Sequence, residues 1–463
     1  MASAPDPTTD ASTSLQAALS SAVLHHAHPA RQLVLGLSGG LDSSLLLAVC
    51  CQFLRQNPAF SLRAIHINHG IVAAATQWEA DCQRLCRSHQ VPLTVKAAKI
   101  ERAAERAVSE DEARRARYAI FEDELEPQET LLLAHHLDDQ LETLMLRLNR
   151  GSGVDGLAGM PLTRPLGAGR LLRPWLGFSR PELLLAARQL GLKWLDDPSN
   201  EQTHYDRNLL RKNLLPKIEE RWPEYRQSWA KSLLLLGDAA ELNSDLAQID
   251  MQACRAQDSG RLRVEPLGSL TQPRLRNVLR HWLKYCSDTL PSWSLLTRLA
   301  EELGMSPEAP ASWPFGAMQV QRFCGELAIL RREDVRTERV EFVVGGATQQ
   351  RVDLPGNGSL LFSRLQDDNA HACEAQAAVA ANQFTVRYRR GGELVRQLGL
   401  GTRKLKKALN EARVEPWLRD RTPLLYRGDE LVWVAGIEGL PVSGHAPLNR
   451  IEWLAPDLEL TKS

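Results

Sequence analysis

Residues 33–44 read L-V-L-G-L-S-G-G-L-D-S-S, and no other stretch restricts the possible folds of this 463-residue chain so strongly. Leu33, Val34, Leu35 and Leu37 form a short apolar run suited to a strand covered on both faces, and Leu45 to Gln56 continues as a helix. Ser38, Gly39 and Gly40 make the turn between them. Two adjacent glycines remove side-chain bulk and permit positive φ, so successive backbone N–H groups can converge on an anion at the positive end of the following helix. Such a loop is shaped to hold phosphate. Asp42 stands at the helix start, where it can cap the helix or hold a metal ion bound to the phosphates. Neither G-x-x-x-x-G-K-[ST] nor G-x-G-x-x-G fits the loop, so a different phosphate loop is required.

Around this loop, strand and helix patterns alternate. Strands are expected at Leu33 to Leu37, Leu62 to Asn68, Pro92 to Ala97 and Thr130 to Leu133, with helices to Gln56, from Thr76 to His89 and from Ser109 to Glu124. Short connections between alternating elements predict an α/β unit, a Rossmann-like parallel sheet with helices on both faces. Ligands bind such sheets beyond the carboxyl ends of the strands. Ser38 follows the first strand, His66, Asn68 and His69 close the second, and His135 follows the fourth. A single histidine at a strand end is more often structural; two with an asparagine beside a phosphate loop also suit nucleotide or metal contact.

The run A-H-H-L-D-D-Q-L-E-T at Ala134 to Thr143 opens the next helix. A start near His136 gathers Leu137, Leu141, Leu144 and Leu148 into one stripe, expected to pack on the sheet, and turns Asp139 and Glu142 toward the cleft near His135. A carboxylate there can help to hold magnesium on a triphosphate, and a histidine can offset charge on a leaving group or move a proton. Asp138 and Asp139 also suit the helix dipole without further purpose. Arg114 and Arg117, one turn apart in E-A-R-R-A-R-Y, are either a solvated charged face or phosphate contacts. Gly151-Ser152-Gly153 ends the helix, and V-D-G-L-A-G-M-P after it reads as a mobile loop. Ser179-Arg180-Pro181-Glu182 is a capping box, and D-P-S-N at Asp197 to Asn200 is a turn leading to Arg207 and Arg211.

Composition bounds the rest. Lys plus Arg equals Asp plus Glu at 56 each, so any basic surface must be local. It is: Val386 to Arg427 holds twelve basic residues, Lys404, Lys406 and Lys407 among them, against four acids. Such a patch suits phosphate-backbone contact, with Trp417 and Tyr388 as stacking surface, unless it is simply a solvated basic face. The strands Thr385 to Tyr388 and Glu430 to Ala435 with a helix from Arg403 to Arg413 suggest a small α+β domain. Eight scattered cysteines without C-x-x-C, no positive leader and no apolar run near the ~18 residues of a membrane span point to a cytoplasmic protein. The expected layout is a flexible start at 1–29, a nucleotide-binding domain at 30–217, a mainly helical domain at 218–335 with amphipathic helices at Leu233 to Ile249 and Leu275 to Tyr285, a linker region at 336–380 that includes an alanine-rich stretch, and the basic domain at 381–463.

S-G-G-L-D-S at Ser38 to Ser43 is the signature of the PP-loop, or N-type, ATP pyrophosphatases. Together with H-I-N-H-G at His66 to Gly70, E-A-R-R-A-R-Y at Glu112 to Tyr118, A-H-H-L-D-D-Q-L-E-T, R-G-S-G-V-D-G-L-A-G-M at Arg150 to Met160 and R-N-L-L-R at Arg207 to Arg211, the chain resembles the tRNA(Ile)-lysidine synthases. The resemblance extends to V-R-Y-R-R-G-G-E at Val386 to Glu393 and K-L-K-K-A-L-N-E at Lys404 to Glu411, and is much less clear between. It implies adenylation of the wobble cytidine of the CAU-anticodon isoleucine tRNA by ATP with Mg²⁺, then attack by L-lysine that expels AMP. Carried over by motif, Asp42, His135 and Asp139 are catalytic, with Asp42 and Asp139 also metal ligands. Ser38, Gly39, Gly40, Leu41, Asp42, Ser43, His66, Asn68 and His69 bind the nucleotide; Arg114, Arg117, Glu142, Arg207, Arg211, Lys404, Lys406 and Lys407 handle substrates. A PP-loop tRNA thiolase using an iron–sulfur cluster or persulfide relay would need closely placed cysteines, which are missing from the motifs. An inert tRNA-binding relative would be expected to have lost Asp42 or the glycines.

Overall fold

The computed structural model describes residues 10–68, 75–98, 110–194, 206–256, 260–287, 290–305, 310–333, 341–344, 351–363, 384–397, 401–437 and 450–456. His69, the D-P-S-N turn and the alanine-rich stretch lie outside them. The chain divides into two compact units, Met1–Leu242 and Asn243–Ser463.

The first unit is built on a six-stranded sheet. Its strands are β1 Gln32–Gly36, β2 Ser61–Asn68, β3 Leu93–Ala97, β4 Glu129–Leu132, β5 Thr163–Leu166 and β6 Gly169–Leu172, in spatial order β3-β2-β1-β4-β6-β5. All neighbouring pairs are parallel except the β5–β6 hairpin. The helices are α1 Ala11–His26, α2 Leu41–Gln56, α3 Ala75–Ser88, α4 Glu110–Glu124, α5 Leu137–Asn149, α6 Val154–Leu157, α7 Arg180–Gln189, α8 Asp206–Leu209 and α9 Leu215–Arg221, followed by α10 Tyr225–Cys254, of which the residues to Leu242 belong to this unit. As the apolar runs require, both faces of the sheet are covered. Leu33, Leu35 and Leu132 pack with α1, α2, α3 and α7 on one side, while Val34, Leu131 and Ile65 pack with Phe121 of α4 on the other. Gly36 has no room for a side chain, since a Cβ there would stand 2.5 Å from Leu133 Cδ2.

Three expectations are corrected. Part of the N-terminal region expected to be flexible is helix α1, because Leu15, Leu19, Ala22 and Val23 recur at helical spacing and bury themselves in the core. The leucine stripe of α5 does not pack on the sheet: Leu137, Leu141 and Leu144 meet Leu215, Tyr225 and Leu233, and Leu148 is exposed. The glycine-rich stretch after α5 is pinned rather than loose. Arg147 donates to the carbonyls of Gly156 and Gly159, and the Gln140 amide exchanges hydrogen bonds with the backbone of Met160.

In the second unit, helices Gln272–Cys286 and Trp293–Met305 share a core with an antiparallel sheet of Leu262–Arg263, Ala311–Phe315, Met318–Phe323 and Glu326–Arg331. That sheet has no counterpart in the sequence expectation, which saw only the helices. A second antiparallel sheet orders Phe342–Val344, Phe384–Arg387, Leu424–Arg427 and Glu430–Val434, with the helix Leu405–Glu411 packed on it. Among the described residues, no helix is long and apolar enough to cross a membrane.

Candidate functional site

β1 lies between β2 and β4, so the chain leaves β1 toward one edge of the sheet and later returns to pair on β1's other side. The loops after β1 and β4 therefore flank one crevice, the switch point at which open α/β sheets bind ligands. The loop after β1 is stiffened from within. Gly39 takes φ 88°, which a side chain would strain. Ser43 Oγ lies 3.0 Å from Ser38 Oγ, accepts from the Ser38 N–H at 3.2 Å and donates to the Gly40 carbonyl at 3.2 Å. Ser44 Oγ donates to the Gly39 carbonyl at 3.3 Å. Four hydrogen bonds thus hold one turn in shape, beside the N-terminus of α2.

Asp42, in the first turn of α2, faces the loop after β4. Its Oδ2 is 3.7 Å from His136 Nε2, and its Oδ1 is buried with no hydrogen-bond partner. Asp139 Oδ2 stands 3.5 Å from the same nitrogen and accepts from the His136 backbone N–H at 3.0 Å. Asp138 Oδ2 lies 3.6 Å from the other ring nitrogen. Burial opposes charge on His136, but Asp139, Asp138 and Asp42 outweigh it and raise the ring to about 9. Burial raises the Asp42 carboxyl, His136 pulling the other way. Asp139 is held below the usual carboxylate range, because His136, His135, its backbone hydrogen bond and Arg211 together overcome burial.

One residue earlier the electrostatics reverse. Burial drives His135 down to about 3, Asp139 opposing and Arg173, Arg114 and Arg207 reinforcing the fall. Arg173, 3% exposed, donates Nε–H to His135 Nδ1 at 3.3 Å, which leaves the ring's proton on Nε2. Arg173 also donates to the Pro161 carbonyl at 2.8 Å and to Tyr118 Oη at 3.4 Å. Arg114 and Arg164 lie over the Tyr118 ring at 5.2 and 5.1 Å. Burial and the neighbouring Arg114, Arg173 and Arg207 lower Arg147. This is a crowded cationic flank suited to anions.

Glu142 is fully buried, and Arg211 grips it with Nε–Oε1 at 2.7 Å and Nη2–Oε2 at 3.0 Å. Nη2 also lies 3.5 Å from Asp139 Oδ1. Arg211 sits in a π-helical turn, Leu210–Leu214, between α8 and α9. Such turns shift side-chain phase within a helix and cluster at functional sites.

The structure brings together Asp42, His135, Asp139, Glu142, Arg114, Arg207 and Arg211 with the Ser38–Ser43 loop. It does not bring in His66 or Asn68 as free donors. His66 is buried with Nδ1 2.9 Å from the Leu37 carbonyl, so it braces the loop from behind, and Asn68 Nδ2 donates to Glu79 at 3.1 Å. Arg117 is exposed. Sequence reasoning did not single out His136, whose ring lies among Asp42, Asp138 and Asp139. It missed Arg173 because the β5–β6 hairpin was not recognised, although L-G-A-G between two apolar runs is a hairpin signal. Asp138 is structural: it accepts from the Arg180 N–H at 2.7 Å and from Arg226 Nε at 3.0 Å.

In the second unit Lys404, Lys406 and Lys407 are exposed along the start of the Leu405–Glu411 helix. Much of the arginine nearby is engaged in structure: Arg387 and Arg390 pair with Glu341, Arg389 with Asp420, Arg403 with Glu411. The expected stacking surface is corrected. Trp417 and Tyr388 are each 5% exposed, Trp417 packing on Ala328 and Leu330 and Tyr388 lying in the core beside Phe384.

The family described as PP-loop domain matches residues 8–218, that described as TilS substrate binding domain matches 262–328, and that described as TilS substrate C-terminal domain matches 384–451. The tRNA(Ile)-lysidine synthase of Pseudomonas aeruginosa is 39% identical over 417 residues, 87% of this chain and 89% of that one. The Escherichia coli O157:H7 protein of the same name is 36% identical over 408 residues, 88% and 92% of the two chains. Among solved structures, the U34-tRNA thiolase NcsA from Methanococcus maripaludis shares 18% identity at a TM-score of 0.40, over 49% of this chain and 79% of that one.

Proposed function

The chain belongs to the tRNA(Ile)-lysidine synthase family, and from that membership we propose how its own residues carry the reaction. It is an ATP-using ligase that acts on tRNA(Ile). In our reading the tRNA carries the CAU anticodon, the second substrate is L-lysine, and the enzyme works in the cytoplasm. The C2 carbonyl oxygen of the wobble cytidine attacks the α-phosphorus of ATP; the bond to the bridging oxygen breaks and pyrophosphate leaves. The lysine side-chain amine then attacks C2, gives up a proton, and AMP departs. Lysidine pairs with A rather than G, which changes codon reading from AUG to AUA.

The observation that carries this reading is the meeting, at the β1–β4 switch point, of a stiffened phosphate loop with Asp42, His136 and Asp139. In-line displacement needs the polyphosphate held still and its developing charge offset. The Ser38–Ser43 loop supplies backbone N–H groups for the first requirement. His135 is suited to the second as a neutral Nε2–H donor, since Arg173 occupies Nδ1. The buried, unpartnered Asp42 Oδ1 and the facing Asp139 are oxygen donors that suit a hard cation, so Asp42 and Asp139 would hold Mg²⁺, which would supply positive charge to offset that of the phosphates. Arg114 and Arg207 are assigned to anionic substrate groups. Glu142 with Arg211 is assigned to the two charged ends of the amino acid. Residues 30–217 form the catalytic domain in this scheme, 218–335 bind substrate, and Lys404, Lys406 and Lys407 in 381–463 grip tRNA away from the reacting base.

The test is incubation with ATP, Mg²⁺, labelled L-lysine and the CAU isoleucine tRNA, followed by digestion and mass spectrometry of the wobble nucleoside. Lysine on cytidine, dependent on ATP and lost in Asp42→Ala, is the expected result. Pyrophosphate release without lysine transfer would overturn the choice of nucleophile, and no reaction at all would place the chain among inert tRNA binders.

A further inference from the structure

The turn R-R-G-G-E at Arg389 to Glu393, in the basic domain, is built around an anion. Gly391 and Gly392 take φ 100° and 90°, which side chains would strain. The N–H groups of Arg390 and Gly391 both donate to Glu393 Oε1, the second at 2.7 Å, and the N–H of Glu393 adds a hydrogen bond to its own carboxylate. Burial raises the Glu393 carboxyl, but these three donors and Arg389 outweigh it and hold the group below the ordinary glutamate range. Successive backbone N–H groups that converge in a turn form a concavity for an anionic oxygen. Here that oxygen belongs to the protein.

Burial does not force this arrangement. Arg390, Gly391 and Gly392 are exposed, so water could satisfy their N–H groups as well as a carboxylate does. The flanking arginines show the same habit: Arg389 pairs with Asp420 at 3.7 Å, and Arg387, at 3.7 Å, and Arg390 both pair with Glu341. Acid side chains thus occupy, along this basic segment, the positions that phosphate oxygens would take. The turn also adjoins the exposed lysines. Leu394 pairs with Lys404 in the antiparallel strands Leu394–Gln397 and Gly401–Lys404, and the Leu405 N–H donates to the Glu393 carbonyl at 2.9 Å. One edge of the domain therefore carries Lys404, Lys406 and Lys407 beside a formed anion site.

We propose that the Arg389–Gly392 turn is a phosphodiester-binding site held closed by Glu393, which the tRNA backbone enters by displacing the carboxylate. This rests on the reading that residues 381–463 grip tRNA. An incoming phosphate takes over the Arg390 and Gly391 N–H groups, and the Glu393 side chain turns out to water. A tethered carboxylate competes at the roughly millimolar effective concentration of an intramolecular ligand, so only a phosphate held in register by neighbouring contacts displaces it. The closed turn thereby discriminates against loosely docked RNA.

Equilibrium binding of the CAU isoleucine tRNA to the full-length protein, repeated over a series of salt concentrations, tests this. Glu393→Ala frees the donors and removes the competitor. It should tighten tRNA binding about three- to tenfold and steepen the slope of log affinity against log salt by about one. Glu393→Gln keeps the side chain's shape and an acceptor oxygen while losing the charge, so it preserves the turn if the alanine variant does not, and should tighten binding by a smaller factor. Gly391→Ala added to Glu393→Ala should abolish the gain, because a side chain at that φ distorts the turn. Weakened or unchanged affinity in both Glu393 variants, with joint replacement of Lys404, Lys406 and Lys407 still weakening tRNA binding, would overturn the closed site and leave the tRNA-gripping surface standing. Indifference of tRNA binding to all of these changes would overturn the underlying reading as well.

Discussion

Removing Arg211 isolates a charge in the most enclosed part of the site. Glu142 is fully buried, and Arg211 covers both its oxygens at 2.7 and 3.0 Å. Breaking a buried pair from one side costs about 3–5 kcal/mol, because the remaining carboxylate stays desolvated. Arg211 is itself 32% exposed, so water reaches its side of the pair and the lower figure applies. Arg211→Met should therefore destabilise the first unit by about 3 kcal/mol, a fall of roughly 6–12 °C in its melting temperature for a unit of this size. Burial already raises the Glu142 carboxyl despite Arg211, and without the guanidinium it rises further. A raised folded-state value favours folding at low pH and disfavours it as pH climbs through that value. The deficit of Arg211→Met should accordingly be small near pH 5 and grow toward pH 8. Thermal unfolding at both pH values, read by tryptophan fluorescence, measures it. Adding Glu142→Gln should recover about half the loss, since an amide needs only ordinary hydrogen bonds. Equal deficits at both pH values, or no recovery in the double variant, would refute the isolated-charge argument.

Other outcomes follow from neighbouring geometry. Asp42→Asn should cut pyrophosphate formation by at least ~100-fold without lowering the melting temperature, because it removes a buried carboxylate that burial already disfavours; a parallel loss of stability would argue for a structural Asp42. Glu129 is held below the ordinary glutamate range despite burial, chiefly by Arg63, which bonds both its oxygens. Its contribution is present above the unfolded value and lost as pH falls through the lower folded one, so Glu129→Gln should cost about 1–2 kcal/mol at pH 7 and progressively less as pH falls into the acid range, as acid unfolding curves would show. Replacing Lys404, Lys406 and Lys407 together should reduce the slope of log affinity for tRNA against log salt by about 2–3 while ATP binding stays constant, and an unchanged slope would remove that surface from tRNA contact.

The parallel strands were legible because Leu33, Val34 and Leu35 bury both faces and so form an unbroken apolar run, and because the paired glycines mark a turn in which Gly39 takes a positive φ that a side chain would strain. Residues set in motif order, Asp42, His135, Asp139 and Glu142, were legible too, since each follows a strand or lies on the first turns after one. What escaped depends on pairing across sequence distance. Arg173 reaches His135 only because β6 pairs with β4, and that pairing leaves no local period in the chain. The same holds for Trp417: its aromatic ring suggested stacking on RNA, yet it is core because Ala328 and Leu330, far back in the sequence, lie beneath it. Composition could count the basic residues near the C-terminus, but only the fold shows that Arg389, Arg390 and Arg403 are paired within the protein while Lys404 and Lys406, with Lys407 beside Glu411, lie exposed.

His135 and His136 concentrate the logic of the site in two adjacent residues. One ring is neutral among arginines and the other cationic among carboxylates, about 3 against about 9. Successive side chains of extended backbone point in opposite directions, so a single strand end serves as the divide between an anion-seeking flank and a cation-seeking one. The divide must not rotate, because a twist would carry each ring away from the charged groups that set its state. It is fastened accordingly: His136 bridges to Trp175, the Leu137 N–H donates to the Phe178 carbonyl at 2.7 Å, and the His136 N–H is held by Asp139 at 3.0 Å. A nucleotide bound across the β1–β4 crevice would meet cations along Arg114 and Arg173 and carboxylates along Asp42 and Asp139. The nucleotide would then be held between the two sides of the same chain segment, which orients its polyphosphate before tRNA and lysine arrive.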